Sequence, residues 1–169
     1  MKPIINLDEL KFISDGPGLP GSHAAIGTLI GAKKLGYNIS ICPPGKSVCP
    51  FHNHRVNEEM FFILEGEGIL RFGQQEYPLR KYDFVACPPG GREFAHQMIN
   101  TGSIDLKYLA LSTEIREEVC EYPDSDKVGI FIGDYGNTEY RKIFRAEHHV
   151  PYMDGELSQK LKADEQRDP

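Results

Sequence analysis

The sequence lacks the features that would suggest a charged macromolecule or a membrane as partner. Lysine and arginine number 19 against 25 aspartate and glutamate residues, so the formal net charge is −6. A negative chain is repelled by phosphate backbones and anionic lipids, which argues against nucleic acid and membrane surfaces. The longest uncharged stretch, residues 16–32, contains five glycines and two prolines and so does not resemble a membrane span.

Signals of export and of disulfide bonding are also missing. Charged residues occur throughout the first fifteen positions and leave no apolar segment typical of a secretory signal, which predicts a cytoplasmic protein. Four cysteines form no C-x-x-C pair, and a chain of 169 residues can build a core without covalent staples. We therefore expect reduced thiols at Cys42, Cys49, Cys87 and Cys120.

Turn-forming residues are abundant. Glycine and proline together account for 29 of 169 residues, about 17% against an average near 12%, without a collagen-like period. Short apolar segments, each bounded by glycine, proline or asparagine, recur every 8 to 12 or so residues. This spacing predicts an all-β sandwich or barrel, organised as a single domain over residues 1–153 with a flexible charged tail at 154–169.

The predicted strands follow period-two alternation or short apolar runs. They cover residues 37–42, 60–64, 69–73, 76–79, 83–87, 95–99 and 106–111. Beyond residue 112 the pattern changes: residues 113–121 have an acidic bias that allows a short helix, while 128–132 and 140–144 are suited to two further strands or a hairpin.

A cluster of histidines and carboxylates predicts a metal site. His52 and His54 are two positions apart, so on a strand both imidazoles project from the same face. Glu58 and Glu59 begin the next predicted strand and point to opposite faces, so only one of them can readily reach the same centre. A third histidine, His96, lies in a later strand.

Two segments of this region closely resemble the paired signatures of the cupin superfamily. They are Gly45-x6-His52-x-His54-x4-Glu59-x6-Gly66, and Pro88-x-Gly90 followed by His96-x3-Asn100. Two departures stand out: Tyr82 occupies the position at which the second signature begins with glycine, and five residues rather than two separate Gly90 from His96.

The resemblance implies the fold and the ligands. It implies a cupin-type double-stranded jelly-roll barrel with short flanking helical turns, its core at about residues 35–112. It also implies that His52, His54, Glu59 and His96 hold one divalent metal ion, with Zn, Fe, Mn, Ni and Cu all compatible with such donors. Cupins commonly pair through sheet edges, so we expect a homodimer with a small-molecule ligand.

The expected activity is a hypothesis on the same basis. With Tyr122-Pro123-Asp124 after the barrel, the chain is similar to single-domain cupins described as sugar-phosphate isomerases. A metal-dependent dioxygenase would use the same ligands, and a non-enzymic protein that binds a sugar or small acid is the other alternative. No general base is identified; Arg92 and Glu93, in the loop before His96, are the candidate catalytic residues.

Overall fold

The computed structural model describes residues 2–16, 18–134 and 137–156, and their secondary structure is almost entirely antiparallel β. The strands are β1 (Ile13–Ser14), β2 (Ser22–Ala25), β3 (Leu35–Cys42), β4 (Asn53–His54), β5 (Glu59–Glu65), β6 (Glu67–Phe72), β7 (Gln75–Arg80), β8 (Phe84–Cys87), β9 (His96–Asn100), β10 (Leu106–Thr113), β11 (Glu117–Tyr122), β12 (Lys127–Asp134) and β13 (Asn137–Arg145). One α-helix, α1 (Ile26–Ile30), and four 3₁₀ turns (Leu7–Glu9, Arg92–Phe94, Pro123–Ser125 and Ala146–His148) accompany them. The described helices are all too short to cross a bilayer.

Three sheets build the barrel. A six-stranded sheet has the order β1-β2-β3-β10-β5-β8, a three-stranded sheet β7-β6-β9, and a four-stranded sheet β13-β12-β11-β4. Buried side chains of the first two sheets form one core cluster, which includes Ile63, Leu70, Met98 and Leu106. The predicted all-β class and cupin-type jelly roll are confirmed.

The alternation of inward and outward side chains along β5 and β9 determines which residues line the barrel interior. On β5, Phe61 and Ile63 are buried, and Glu59 shares their face because it lies two residues before Phe61. On β9 the buried residues are His96, Met98 and Asn100. A carboxylate from the six-stranded sheet and an imidazole from the three-stranded sheet are thereby directed into one interior.

The strands predicted up to residue 111 are present, with ends shifted by one or two residues. The helix allowed at residues 113–121 is wrong, because Glu117–Tyr122 form strand β11, paired with both β4 and β12. The inward positions of this strand hold Glu118 and Cys120. Because one of these buried side chains is charged, the sequence does not show the apolar–polar alternation of a strand. The hairpin predicted from residues 128–132 and 140–144 is β12 and β13.

Gly66 and Tyr82 lie in turns that have a left-handed backbone. Gly66, between β5 and β6, has φ +83°, and a Cβ there would lie 2.5 Å from the Asp105 carbonyl oxygen. Tyr82, where the cupin signature has glycine, has φ +77° in the turn before β8. The turn thus keeps the conformation that favours glycine while carrying a tyrosine. Of the predicted flexible tail, residues 157–169 lie outside the described part of the chain.

Candidate metal centre

Backbone pairing brings the first and third histidines side by side. His96 N–H donates to the His52 carbonyl at 2.8 Å, and His52 N–H donates to the His96 carbonyl at 3.2 Å. The extra residues before His96 are accommodated by the 3₁₀ turn Arg92–Phe94, after which β9 begins at His96 itself. The unusual spacing therefore lengthens the loop without displacing the histidine from the barrel.

The three predicted histidine ligands converge on one carboxylate oxygen of the fourth ligand, Glu59. Nε2 of His96, His54 and His52 lies 3.0, 3.3 and 3.9 Å from Oε2 of Glu59. The donor atoms of His52, His54 and Glu59 all lie within 4.8 Å of one another, and His96 joins them through its contact with Glu59. Glu58 is exposed, so Glu59 is the carboxylate that reaches the interior.

The other ring nitrogen of each histidine faces an acceptor. Nδ1 of His52 lies 2.9 Å from the Pro50 carbonyl oxygen, and Nδ1 of His96 lies 3.1 Å from that of Phe94. Nδ1 of His54 lies 3.3 Å from Oε2 of Glu118. With a proton on each Nδ1, all three Nε2 lone pairs are free to point at a common centre.

Burial and close contacts shift the pKa values of the clustered side chains. Burial, together with the nearby His96, lowers the pKa of His52 to about 4. Burial alone would lower the pKa of His54, but the neighbouring Cys120, Glu118 and Glu59 groups raise it to about 12. Burial would raise the pKa of Glu59, yet the facing imidazoles hold it well below its usual range.

A metal ion fits these residues. Nε2 of His54 is fully buried, lies 3.3 Å from Oε2 of Glu59 and has no hydrogen-bond partner among the described residues. An unsatisfied buried nitrogen is costly, and a cation bound to its lone pair removes that cost. Three imidazole nitrogens and one carboxylate are donors that first-row divalent ions accept.

Two cavities meet at the centre. The larger, about 680 Å³, reaches His54 and Glu59 and is lined mostly by polar side chains, among them Lys33, Ser112, Glu114 and Asp134. The smaller, about 230 Å³, reaches His52 and Glu59; its lining includes Asp15, His23, Asn38, Ser40, Phe61 and Tyr108. Glu59 is common to both, so a small molecule in either cavity lies beside the ligands.

Asp15 and His23 are residues that the sequence analysis missed. Asp15 Oδ1 lies 2.5 Å from Nδ1 of His23. A Cβ on Gly21 would overlap the Asp15 carboxylate, so glycine makes room for the pair. Asp15 and His23 lie before the cupin signatures, and only the pairing of β2 with β3 brings them to the cavity.

The candidate catalytic residues Arg92 and Glu93 both have partners outside the four-residue cluster. Arg92 donates to Asp126 at 2.7 Å, and Glu93 accepts a hydrogen bond from the Gly91 N–H within its own turn. Other arginines are paired in the same way: Arg55 with Glu121, Arg71 with Asp124, and Arg116 with Asp134 and Glu139. Lys33 lines the larger cavity beside several carboxylates.

Comparison with known proteins agrees with this architecture. Residues 38–112 match the cupin domain family. The crystal structure of a sugar phosphate isomerase of a cupin superfamily, from Silicibacter pomeroyi, superposes on this chain with a TM-score of 0.74. The superposition covers 90% of this chain and 98% of that one. The chain belongs to the cupin superfamily. At 24% identity, the likeness to the Silicibacter protein shows the fold alone.

Curated relatives of this cupin have diverse descriptions. An oxalate-binding protein of Thermotoga maritima is 35% identical over 69 residues, which cover 41% of this chain and 54% of that protein. Auxin-binding protein 1 of Arabidopsis thaliana is 30% identical over 138 residues, covering 72% and 67%. The chain spans about half the length of the first curated relatives that it matches. Cupins bind small molecules, and in this cupin two cavities border the candidate metal centre.

Proposed function

We propose that this cupin binds one divalent metal ion through His52, His54, Glu59 and His96. The convergence of three Nε2 atoms on one carboxylate oxygen of Glu59 carries the proposal. The orphaned Nε2 of His54 and the outward acceptors for each Nδ1 support it. When bound, the ion supplies Lewis acidity to a carbonyl or hydroxyl oxygen of a ligand.

We propose further that the protein is an isomerase of small hydroxylated carbonyl compounds, that is, of sugar-like molecules. Asn38, Ser40 and Tyr108 offer amide and hydroxyl groups in the smaller cavity. His23 lies in the same cavity, and with its Nδ1 on Asp15 its remaining nitrogen, Nε2, can accept a proton from the hydroxyl-bearing carbon next to a carbonyl. Return of that proton to the former carbonyl carbon, while the hydroxyl proton passes to the former carbonyl oxygen, converts an aldose into a ketose. Return of the proton to the opposite face of the same carbon gives the epimer. No net loss or gain of atoms occurs, which defines an isomerisation.

Charge favours an unphosphorylated substrate. Recognition of phosphate calls for clustered arginine or lysine, whereas the arginines named above already have carboxylate partners and Lys33 lies among acids. We therefore propose neutral aldoses or ketoses rather than sugar phosphates as the substrate class.

Proton exchange with solvent tests the activity. Protein stripped of metal and reloaded with Zn²⁺, Mn²⁺, Fe²⁺ or Ni²⁺ is incubated in ²H₂O with neutral aldoses, ketoses and their phosphates, and the products are followed by ¹H NMR. We expect epimer or ketose formation with deuterium next to the carbonyl. His23→Gln should abolish turnover while retaining one equivalent of metal, and His148→Gln, at an exposed histidine, should behave as wild type.

Two results would contradict the isomerase proposal. Oxygen uptake on an oxygen electrode without isomerisation would indicate a dioxygenase. A melting temperature raised by oxalate, with no turnover of any compound, would favour a binding protein, the second candidate that the 35% identical oxalate-binding relative supports. The homodimer and the cytoplasmic location stay predictions, which light scattering and fractionation test.

A further inference from the structure

We infer that Glu118 is the positioning residue that directs His54 at the metal, so that strand β11 completes the centre. β11 lies outside residues 38–112, the segment that matches the cupin family. The inference rests on the proposed metal binding. The inference gives strand β11, which follows the barrel core, a role in the metal site. The paired cupin signatures do not include this strand.

The partner of His54 differs in kind from the partners of the other two histidines. His52 and His96 each face a neutral main-chain carbonyl two residues earlier in the chain. His54 instead faces a carboxylate that is 64 positions away in sequence, at 3.3 Å, and the Cys120 Sγ of the same strand lies 3.4 Å from the same ring nitrogen. The orientation of two rings is therefore local, and the orientation of the third depends on the pairing of β4 with β11.

Glu118 is itself rigidly held. Its side chain is 9% exposed, and its two oxygens accept from five N–H groups: the main-chain amides of Arg55, Val56, Asn57 and Val119 and the side-chain amide of Asn57. Buried charge is tolerated when such donors surround it. The loop that follows His54 thus wraps around the carboxylate that faces its ring.

This arrangement suits a metal ligand in two ways. Donation of the Nδ1 proton to Glu118 fixes the tautomer of His54 and leaves the Nε2 lone pair for the ion. The formal charge also balances, because Glu59 and Glu118 together offset the two positive charges of a divalent ion in a buried site. A neutral acceptor in place of Glu118 would remove the second effect and weaken the first.

A second metal ion bound by His54, Glu118 and Cys120 is the competing interpretation. Donor atoms of these residues also lie within 4.8 Å of one another. However, the oxygens of Glu118 are already engaged by N–H donors, and Nδ1 of His54 cannot both donate a proton to Glu118 and bind an ion. We therefore expect one ion for each chain, with Glu118 beside the ligand rather than among the ligands.

Zinc titration of matched variants tests the inference. Metal-stripped wild type, Glu118→Gln and Glu121→Gln are titrated with Zn²⁺ against a competing chelator. Glu121 is the control because it lies on the same strand and binds the Asn53 side chain and the Arg55 guanidinium, both next to the histidines, without contacting a histidine in the described structure. We expect one equivalent in wild type, a zinc Kd raised about 10- to 100-fold in Glu118→Gln, and an unchanged Kd in Glu121→Gln.

Imidazole resonances separate positioning from a merely structural role. In ¹H–¹⁵N spectra of the zinc-loaded protein, we expect Glu118→Gln to move the Nδ1–H signal of His54 to higher field and to leave those of His52 and His96 in place. Loss of structure would shift all three. An unchanged affinity with an unmoved His54 signal would overturn the inference, as would two zinc equivalents in wild type that fall to one in the variant.

The wild-type spectrum decides the question if Glu118→Gln does not fold. A zinc-loaded wild type whose His54 proton is on Nε2 overturns the inference, and a proton on Nδ1 with a low-field, hydrogen-bonded shift supports it. If wild type binds no zinc, the proposed metal function fails on its own. The Nδ1–H signal of His54 in the metal-free protein, compared with that of Glu118→Gln, then still tests the contact.

Discussion

Removing the metal should lower the thermal stability of the protein by a predictable amount. The proposed donors lie on or beside β4, β5 and β9, and His96 is 37 positions from Glu59, so the complete site exists only in the folded chain. A ligand that binds only the native state stabilises it by RT ln(1 + [L]/Kd), about 2.7 kcal/mol at a free metal concentration of 100 Kd.

The expected change in melting temperature follows from the size of the chain. For domains of 150 to 250 residues, 1 kcal/mol corresponds to roughly 2–4 °C, so the 2.7 kcal/mol above gives a rise of about 5–11 °C. The figure is an upper bound, because His52, His54 and Glu59 lie close together in sequence and retain some affinity in the unfolded chain. The assay is a fluorescence melting curve with EDTA, and then with free Zn²⁺ at about 100 Kd.

Two variants make the assay specific. His96→Gln removes a buried imidazole that contacts Glu59 and should lose most of the zinc-dependent shift. His148→Gln removes an exposed imidazole far along the chain and should keep the full shift. The reasoning is refuted if zinc leaves the melting temperature of wild type unchanged, or if His96→Gln retains the wild-type shift.

Three further predictions concern the core, the thiols and acid. Ile63→Ala, at a fully buried position, should lower the free energy of unfolding in urea by about 2–5 kcal/mol, and a smaller loss than 1 kcal/mol would contradict the packing. Burial raises the pKa of Cys49 to about 12, so this thiol should resist iodoacetamide at pH 8 until the protein is unfolded. Burial would raise the pKa values of Glu118 and Glu121, but hydrogen bonds hold both below 4.5. The ionised carboxylates therefore stabilise the folded protein above about pH 4.5, and this contribution is lost as the pH falls further. The free energy of unfolding of the metal-stripped protein should fall below about pH 4.5, less steeply in Glu121→Gln.

The local sequence pattern was sufficient to predict most strands of the barrel. Period-two alternation, short apolar runs and turn residues predicted β3 and the strands from β5 to β10, because these strands bury side chains on one face and turn-forming residues bound them. The same reasoning failed at β11. A glutamate on an inward position looks solvated in sequence, and only the five N–H donors supplied by other segments and by Val119 make Glu118 stable inside.

The site divides in the same way. His52 and His54 could be interpreted as a pair of ligands because alternate positions on a strand share one face, whereas the resemblance to the cupin signatures selected Glu59 and His96. The Asp15 and His23 pair carried no such signal: an isolated aspartate and an isolated histidine in a loop-rich segment are typical of a surface. Antiparallel pairing of β2 with β3 is what brings His23 opposite Ser40 and into the cavity.

By itself, the sequence determined the all-β class and the positions of most strands, since each of these depends on neighbours a few positions apart, and its resemblance to the cupin signatures supplied the candidate donor residues. The tertiary structure alone decided that Glu118 faces His54 and that Asp15 and His23 share a cavity with His52 and Glu59. These contacts join segments that are tens of residues apart, and their energies come from burial and charge in the assembled barrel, which no local pattern encodes.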